Sequence, residues 1–117
     1  MKHQLFGSDE LEPGDVREAQ IDGIAIVVVR KRDGSYRALR NRCSHQGGIL
    51  SRGCLEPMMV SGGVGDYSYS AEREVLRCPL HHWEFDVDTG RSPAYPEKVR
   101  VRSYPVTVAD GKVWIER

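Results

Sequence analysis

Two short segments carry side chains able to bind a metal, Cys43-Ser44-His45 and Cys78-Pro79-Leu80-His81. Each offers one thiolate and one imidazole, so together they make a donor set of two sulfurs and two nitrogens. Structural zinc takes Cys₂His₂ tetrahedrally, but its usual spacing pairs Cys with Cys and His with His; here each segment is mixed. Blue copper takes His₂Cys and an axial Met, which leaves one cysteine unused. A [2Fe–2S] centre with two Cys on one iron and two His on the other uses all four donors. If each segment gives its Cys to one iron and its His to the other, two similar loops clasp the core from opposite sides. The mixed spacing suits that centre better than the other two. Cys-x-x-His selects His81 over His82, because a tight loop does not aim adjacent side chains at one iron. His82 therefore reads as a solvent-exposed or docking-face residue, and the leftover thiol, Cys54, as a small buried hydrophobe.

The elements that must position these segments are short strands joined by tight turns. Val16 to Ile21 alternates loosely, Asp22-Gly23 turns, and Ile24 to Arg30 is a β-branched run. Asp33-Gly34 turns again into Tyr36–Arg40, and Tyr104–Ala109, Asp110-Gly111 and Lys112–Glu116 make a further hairpin. Asp-Gly between such runs is a strong hairpin signal, since both residues tolerate positive φ. Trp83 to Val87 followed by Asp88-Thr89-Gly90 is another strand and turn. No window of helical length holds an apolar face at i, i+3, i+4; Ser8 to Leu11 suits at most a single helical turn, and His3 falls in an N-terminal tail. Ser61-Gly62-Gly63-Val64-Gly65-Asp66 reads as a flexible connection without a phosphate-binding pattern. The class is all-β, a sandwich or small barrel.

At 117 residues the chain fits one domain. Its longest apolar run, Ile24 to Val29, is far too short for a membrane helix of roughly 20 residues. The first ten residues lack the apolar core of a signal peptide, so a cytoplasmic protein is expected. In that compartment an odd count of three cysteines argues against a disulfide framework. Seventeen basic and seventeen acidic side chains cancel, which removes the uniform basic field of a nucleic-acid binder.

Cys43-x-His45 and Cys78-x-x-His81 resemble the two ligand boxes of Rieske [2Fe–2S] proteins. The second box, running on from Cys78 to Asp86, is similar to that of Rieske ferredoxins and of Rieske domains in ring-hydroxylating oxygenases. The likeness extends to Gly47-Gly48, to Asp88-Thr89-Gly90, and to Ser92-Pro93-Ala94-Tyr95-Pro96, where the family places a third loop over the cluster. It also includes the ending with Tyr104, Val106, Asp110 and Gly111, and so covers nearly the whole chain. The resemblance implies an all-β, Rieske-like antiparallel β-sandwich, a single domain over 1–117 with a small cluster-binding subdomain at about 42–96. It also implies one [2Fe–2S] cluster per chain, held by Cys43, His45, Cys78 and His81. The chain departs from the family at His82, where glycine is usual, and in the length between the boxes, where 57–73 reads as an inserted loop.

High-potential members carry an extra cysteine in each loop, joined as a disulfide; the matching positions here are Gly48 and Leu80. Trp83 stands where the family's hydroxyl donor to the sulfide would be. Both differences imply a potential near −150 mV, the bottom of the Rieske window. A mononuclear oxygenase iron needs two His and a carboxylate, and with His45 and His81 used only His3 and His82 remain. The expected role is therefore an electron carrier, not an enzyme by itself. Its partners would be a flavoprotein reductase and a terminal, ring-hydroxylating-type oxygenase, with no nucleic acid or membrane involved. The alternative is a Rieske small subunit bound tightly to a larger oxidoreductase such as assimilatory nitrite reductase. A zinc-stabilised interaction domain is a third class.

Overall fold

The computed structural model describes residues 2–42, 49–63, 66–78, 83–93, 97 and 99–116, and of residues 57–73 the backbone alone. The strands among them are β1 (Lys2–Gly7), β2 (Val16–Ile21), β3 (Ile24–Arg30), β4 (Tyr36–Arg40), β5 (Cys54–Gly63), β6 (Asp66–Arg77), β7 (Glu84–Asp86), β8 (Ser103–Tyr104), β9 (Val106–Ala109) and β10 (Lys112–Glu116). A single 3₁₀ turn, Leu50–Arg52, precedes β5. The strands form three antiparallel sheets, ordered β1-β10-β9, β2-β3-β4-β8 and β5-β6-β7. This is the expected all-β antiparallel architecture.

The β-branched run of β3 explains how the sheets stack. Val27 and Val29, with Leu39 of β4, join one apolar cluster with Leu76, Phe85, Val87 and Val101. Ile26 and Val28, with Tyr36 and Ala38, join another with Val113, Ile115 and Tyr104. Successive strand side chains point to opposite faces, so β3 feeds both clusters, and Ile26 to Val29 are all at most 1% exposed. A continuous apolar run is what a strand covered on both faces requires. The β2-β3-β4-β8 sheet is thus the middle layer.

The turns follow local chemistry. Asp22-Gly23 and Asp110-Gly111 both have positive φ at each residue (50° and 79°; 54° and 70°), as a two-residue hairpin loop needs. Asp33-Gly34 closes differently: only Gly34 has positive φ (92°), and the loop is pinned by Lys31 N–H donating to Ser35 O. That is the longer loop with a left-handed residue at its end.

Four expectations change. Residues 2–7, read as a tail holding His3, form β1, whose His3 pairs with Ile115. Ser8–Leu11 is a turn rather than helix: the Glu10 carboxylate accepts the Gly7 N–H, and Leu11 is drawn into the core. Tyr104–Ala109 is not one strand. Pro105 has no N–H for a ladder, and there the chain leaves the middle sheet as β8 and joins β10 as β9. Finally, of the segment 57–73, read as an inserted loop, residues 57–63 and 66–73 are strand, paired as β5 and β6 with register shifts between Pro57 and Met59 and between Ser61 and Gly63.

Candidate metal centre

Each segment singled out as a ligand loop is pinned at its base. Before Cys43, Asn41 is 3% exposed; its N–H donates to Ala25 O, its Nδ2 to Ser51 Oγ, and its Oδ1 accepts the Ser51 N–H at 2.7 Å. These bonds bring Asn41 and Ser51, which flank the first box, together. Across the second box, the Cys78 N–H donates to Trp83 O at 2.6 Å. Across the proline-containing segment, Arg91 and Arg100 form an antiparallel bridge and the Ser92 N–H donates to Val99 O.

The three bases converge. Leu50 after the first box, Cys78 in the second, and the half-buried Trp83 and Val99 all belong to the apolar cluster between the middle sheet and β5-β6-β7. Burying a side chain the size of Leu50, at 0% exposure, is worth about 1.5–3 kcal/mol. The loops therefore share one hydrophobic foundation. Gly53 lets the exit of the first loop approach β6 closely, since an added Cβ would drive into the Arg77 carbonyl, next to Cys78. Gly90, at φ 77°, likewise sits where a Cβ would meet Val101 O; the Val101 N–H donates to Gly90 O.

Charge at the second box is organised by Arg77. Its guanidinium lies 2.9 Å from Glu56 and 3.1 Å from Glu84, tying all three strands of the sheet together. The Glu84 hydrogen bond and the nearby carboxylates hold it protonated above the ordinary arginine range, against the opposing pull of desolvation.

Of the expected ligands, Cys78 is described: it is fully buried and unbridged, at the head of a pinned loop. Cys43, His45 and His81 lie outside the described residues, as do His82, Gly48 and Leu80. Among the described residues no group of three or more His, Cys, Asp and Glu side chains is placed to hold a metal ion. Cys54 corrects an expectation. It is exposed rather than buried, because Leu55 next to it packs onto the core and alternation turns Cys54 outward. Asn41, Ser51 and Arg77 were missed in the sequence; their partners lie across a loop or a strand, where no local pattern marks them.

Cys78, the described member of the expected donor set, suits a [2Fe–2S] cluster: it is a buried thiol in one apolar cluster with Leu76, Phe85 and Trp83, and its N–H is bonded to Trp83 O. The chain matches the family model of the Rieske [2Fe–2S] domain over residues 2–105. It is 31% identical to the ferredoxin component of the naphthalene 1,2-dioxygenase system of Pseudomonas putida, over 93% of this chain and 88% of that one. Among solved structures, it resembles the ferredoxin of carbazole 1,9a-dioxygenase from Nocardioides aromaticivorans IC177, with a TM-score of 0.73 and 31% identity over 97% of this chain and 95% of that one. A Mycobacterium tuberculosis protein assigned as an NADH-dependent nitrite reductase small subunit shares the fold, with a TM-score of 0.81 and 24% identity over 100% and 95% of the two chains. The chain belongs to the Rieske [2Fe–2S] domain family, whose members carry a two-iron, two-sulfide cluster. No helix among the described residues is long and apolar enough to cross a membrane.

Proposed function

We propose that this chain is a Rieske-type ferredoxin that carries one electron from a flavoprotein reductase to a terminal oxygenase of the ring-hydroxylating type. The observation that carries this reading is the fully buried Cys78 on a loop whose base shares one apolar foundation with the bases of the first box and the proline-containing loop. Cys43 and Cys78 would hold one iron, and His45 and His81 the other; the cluster supplies a one-electron store. Leu50, Trp83 and Val99 keep water from the inner side of that site, and Asn41 and Ser51 hold the first box in register with the second. The chain acts as one domain over 1–117, with the cluster-binding part at about 42–96, and works in the cytoplasm. Likeness to ferredoxin components along nearly their whole length supports a carrier rather than an oxygenase.

Iron and acid-labile sulfide analysis tests the ligands. Two irons and two sulfides are expected per chain, falling to none in Cys43→Ala or Cys78→Ala. A Cys78→Ala variant with full iron would sink the assignment, and a colourless zinc protein would place the chain in another class. The shared fold also admits a small subunit held within a larger oxidoreductase. Size-exclusion chromatography of the natively expressed protein separates the two: a carrier elutes alone, and a subunit elutes with its enzyme.

A further inference from the structure

The chain's charges cancel overall, seventeen against seventeen, but they are not evenly answered. Asp88 takes Lys31 and Arg37, Glu10 takes Arg17, and Glu74 takes Arg32. Six exposed arginines have no carboxylate partner among the described residues: Arg102, which stacks over the Tyr104 ring, and Arg40, Arg42, Arg52, Arg91 and Arg100. The last five lie at the described bases of the loops singled out for the metal centre. Arg40 and Arg42 lead into Cys43, Arg52 ends the 3₁₀ turn after the first loop, and Arg91 faces Arg100 at the base of the third. The exposed acids around them are Glu97, Glu18, which accepts a hydrogen bond from Ser51 Oγ, and Asp22 of the β2–β3 turn, whose carboxylate lies 3.6 Å from His3 Nε2. Beside the first loop is a groove of about 270 Å³, with Ile24, Ala25 and Ile49 supplying its apolar lining and Arg40, Arg42 and Glu18 its charged lining.

Resting on the electron-carrier reading, we infer that this arginine collar is the docking surface for a carboxylate-rich face of the redox partner protein. At physiological salt a charge is felt over only about 8 Å, so a neutral chain presents a positive field around the described loop bases. Guanidinium groups stay charged, lose little hydration at an exposed site, and take carboxylates in a two-pronged fork. Apolar lining beside them suits a protein surface. A single-stranded nucleic acid would want aromatic side chains to stack on, and the groove has none. Local fields of this kind raise association rates by about 10- to 1,000-fold at low ionic strength.

The test oxidises the reduced holoprotein with ferricyanide, a trianion, and with hexaamminecobalt(III), a trication. Each takes one electron from one reduced cluster. Raising ionic strength from roughly 10 to 500 mM should slow the ferricyanide reaction about 10-fold and speed the cobalt reaction. Arg40→Glu with Arg42→Glu should flatten the ferricyanide trend, and Lys112→Glu, on the β1-β10-β9 sheet, should leave it unchanged. Poly-L-glutamate should bind the holoprotein in calorimetry at low salt and slow ferricyanide, more strongly than duplex DNA of equal charge. A protein without the cluster's visible absorption would overturn the carrier reading itself. An intact cluster whose rates ignore ionic strength would overturn the docking surface alone, and tighter binding of DNA would replace the protein partner with nucleic acid.

Discussion

At the β3–β4 turn, one end of the middle sheet, charges are met at close range. Lys31 is 5% exposed, and its Nζ lies 3.1 Å from both carboxylate oxygens of Asp88, while Arg37 Nε lies 2.7 Å from one of them. Burial pushes the Asp88 carboxyl up, but the hydrogen bonds from Lys31 and Arg37 outweigh it and hold the group below the usual carboxylate range. At the opposite end, at the base of the first loop, the chain is fastened by neutral bonds of Asn41 and Ser51, and Arg40, Arg42 and Arg52 are left to solvent. The same residue types serve two purposes. Where a charge is buried it must be paired, because an uncompensated one costs several kcal/mol. Where it is to meet a second protein it must stay unpaired and wet.

The largest effects should come from removing what only the loop end contains. Cys78→Ala is expected to abolish iron binding and, with it, the order of the loops, read by visible absorption and by thermal unfolding. At the far end the comparison is sharpest through Asp88. Asp88→Asn leaves Lys31 buried beside a neutral side chain and should cost about 3 kcal/mol in urea unfolding at pH 7. Lys31→Met keeps the Arg37 partner and should cost about 1 kcal/mol or less, since the pair is partly solvated. Equal losses would break the asymmetry.

Acid sharpens the same contrast. Because the folded-state value of Asp88 is lowered, its contribution is present above the ordinary carboxylate range, near 4, and is lost as pH falls through the lowered value. The gap between wild type and Asp88→Asn should therefore narrow as urea unfolding is repeated from pH 6 towards pH 3. A gap independent of pH would mean that packing, not charge, fixes the turn.

Asn41→Ala should cost about 1–3 kcal/mol by stranding the Ser51 N–H. Its second expected effect is faster loss of iron to a chelator, which a purely structural defect elsewhere, such as Lys31→Met, should not produce. The smallest effect belongs to Cys54→Ser. The thiol is exposed and outside the apolar cluster, so iron content and the urea midpoint should both stay at wild-type values.

Much of this protein was legible along the chain. β2, β3 and β4 carry their own alternation or apolar run, and the turns Asp22-Gly23 and Asp110-Gly111 take the two positive φ values their side chains tolerate. The paired Cys and His boxes pointed to the family that the whole-chain match then established. These signals are local: each depends on residues a few positions apart, whose conformational preferences act before any long-range contact forms. Tertiary structure decided the rest. β1 exists because β10, more than a hundred residues away, offers it a partner. Pro105 splits one apparent strand between two sheets because each has a free edge in reach, and the two halves pair where they can. Asn41 finds Ser51 only once the loop has closed. Cys54 faces water because Leu55 beside it is claimed by the core. In each case the deciding free energy is burial or pairing between distant segments, which no window of neighbouring residues contains.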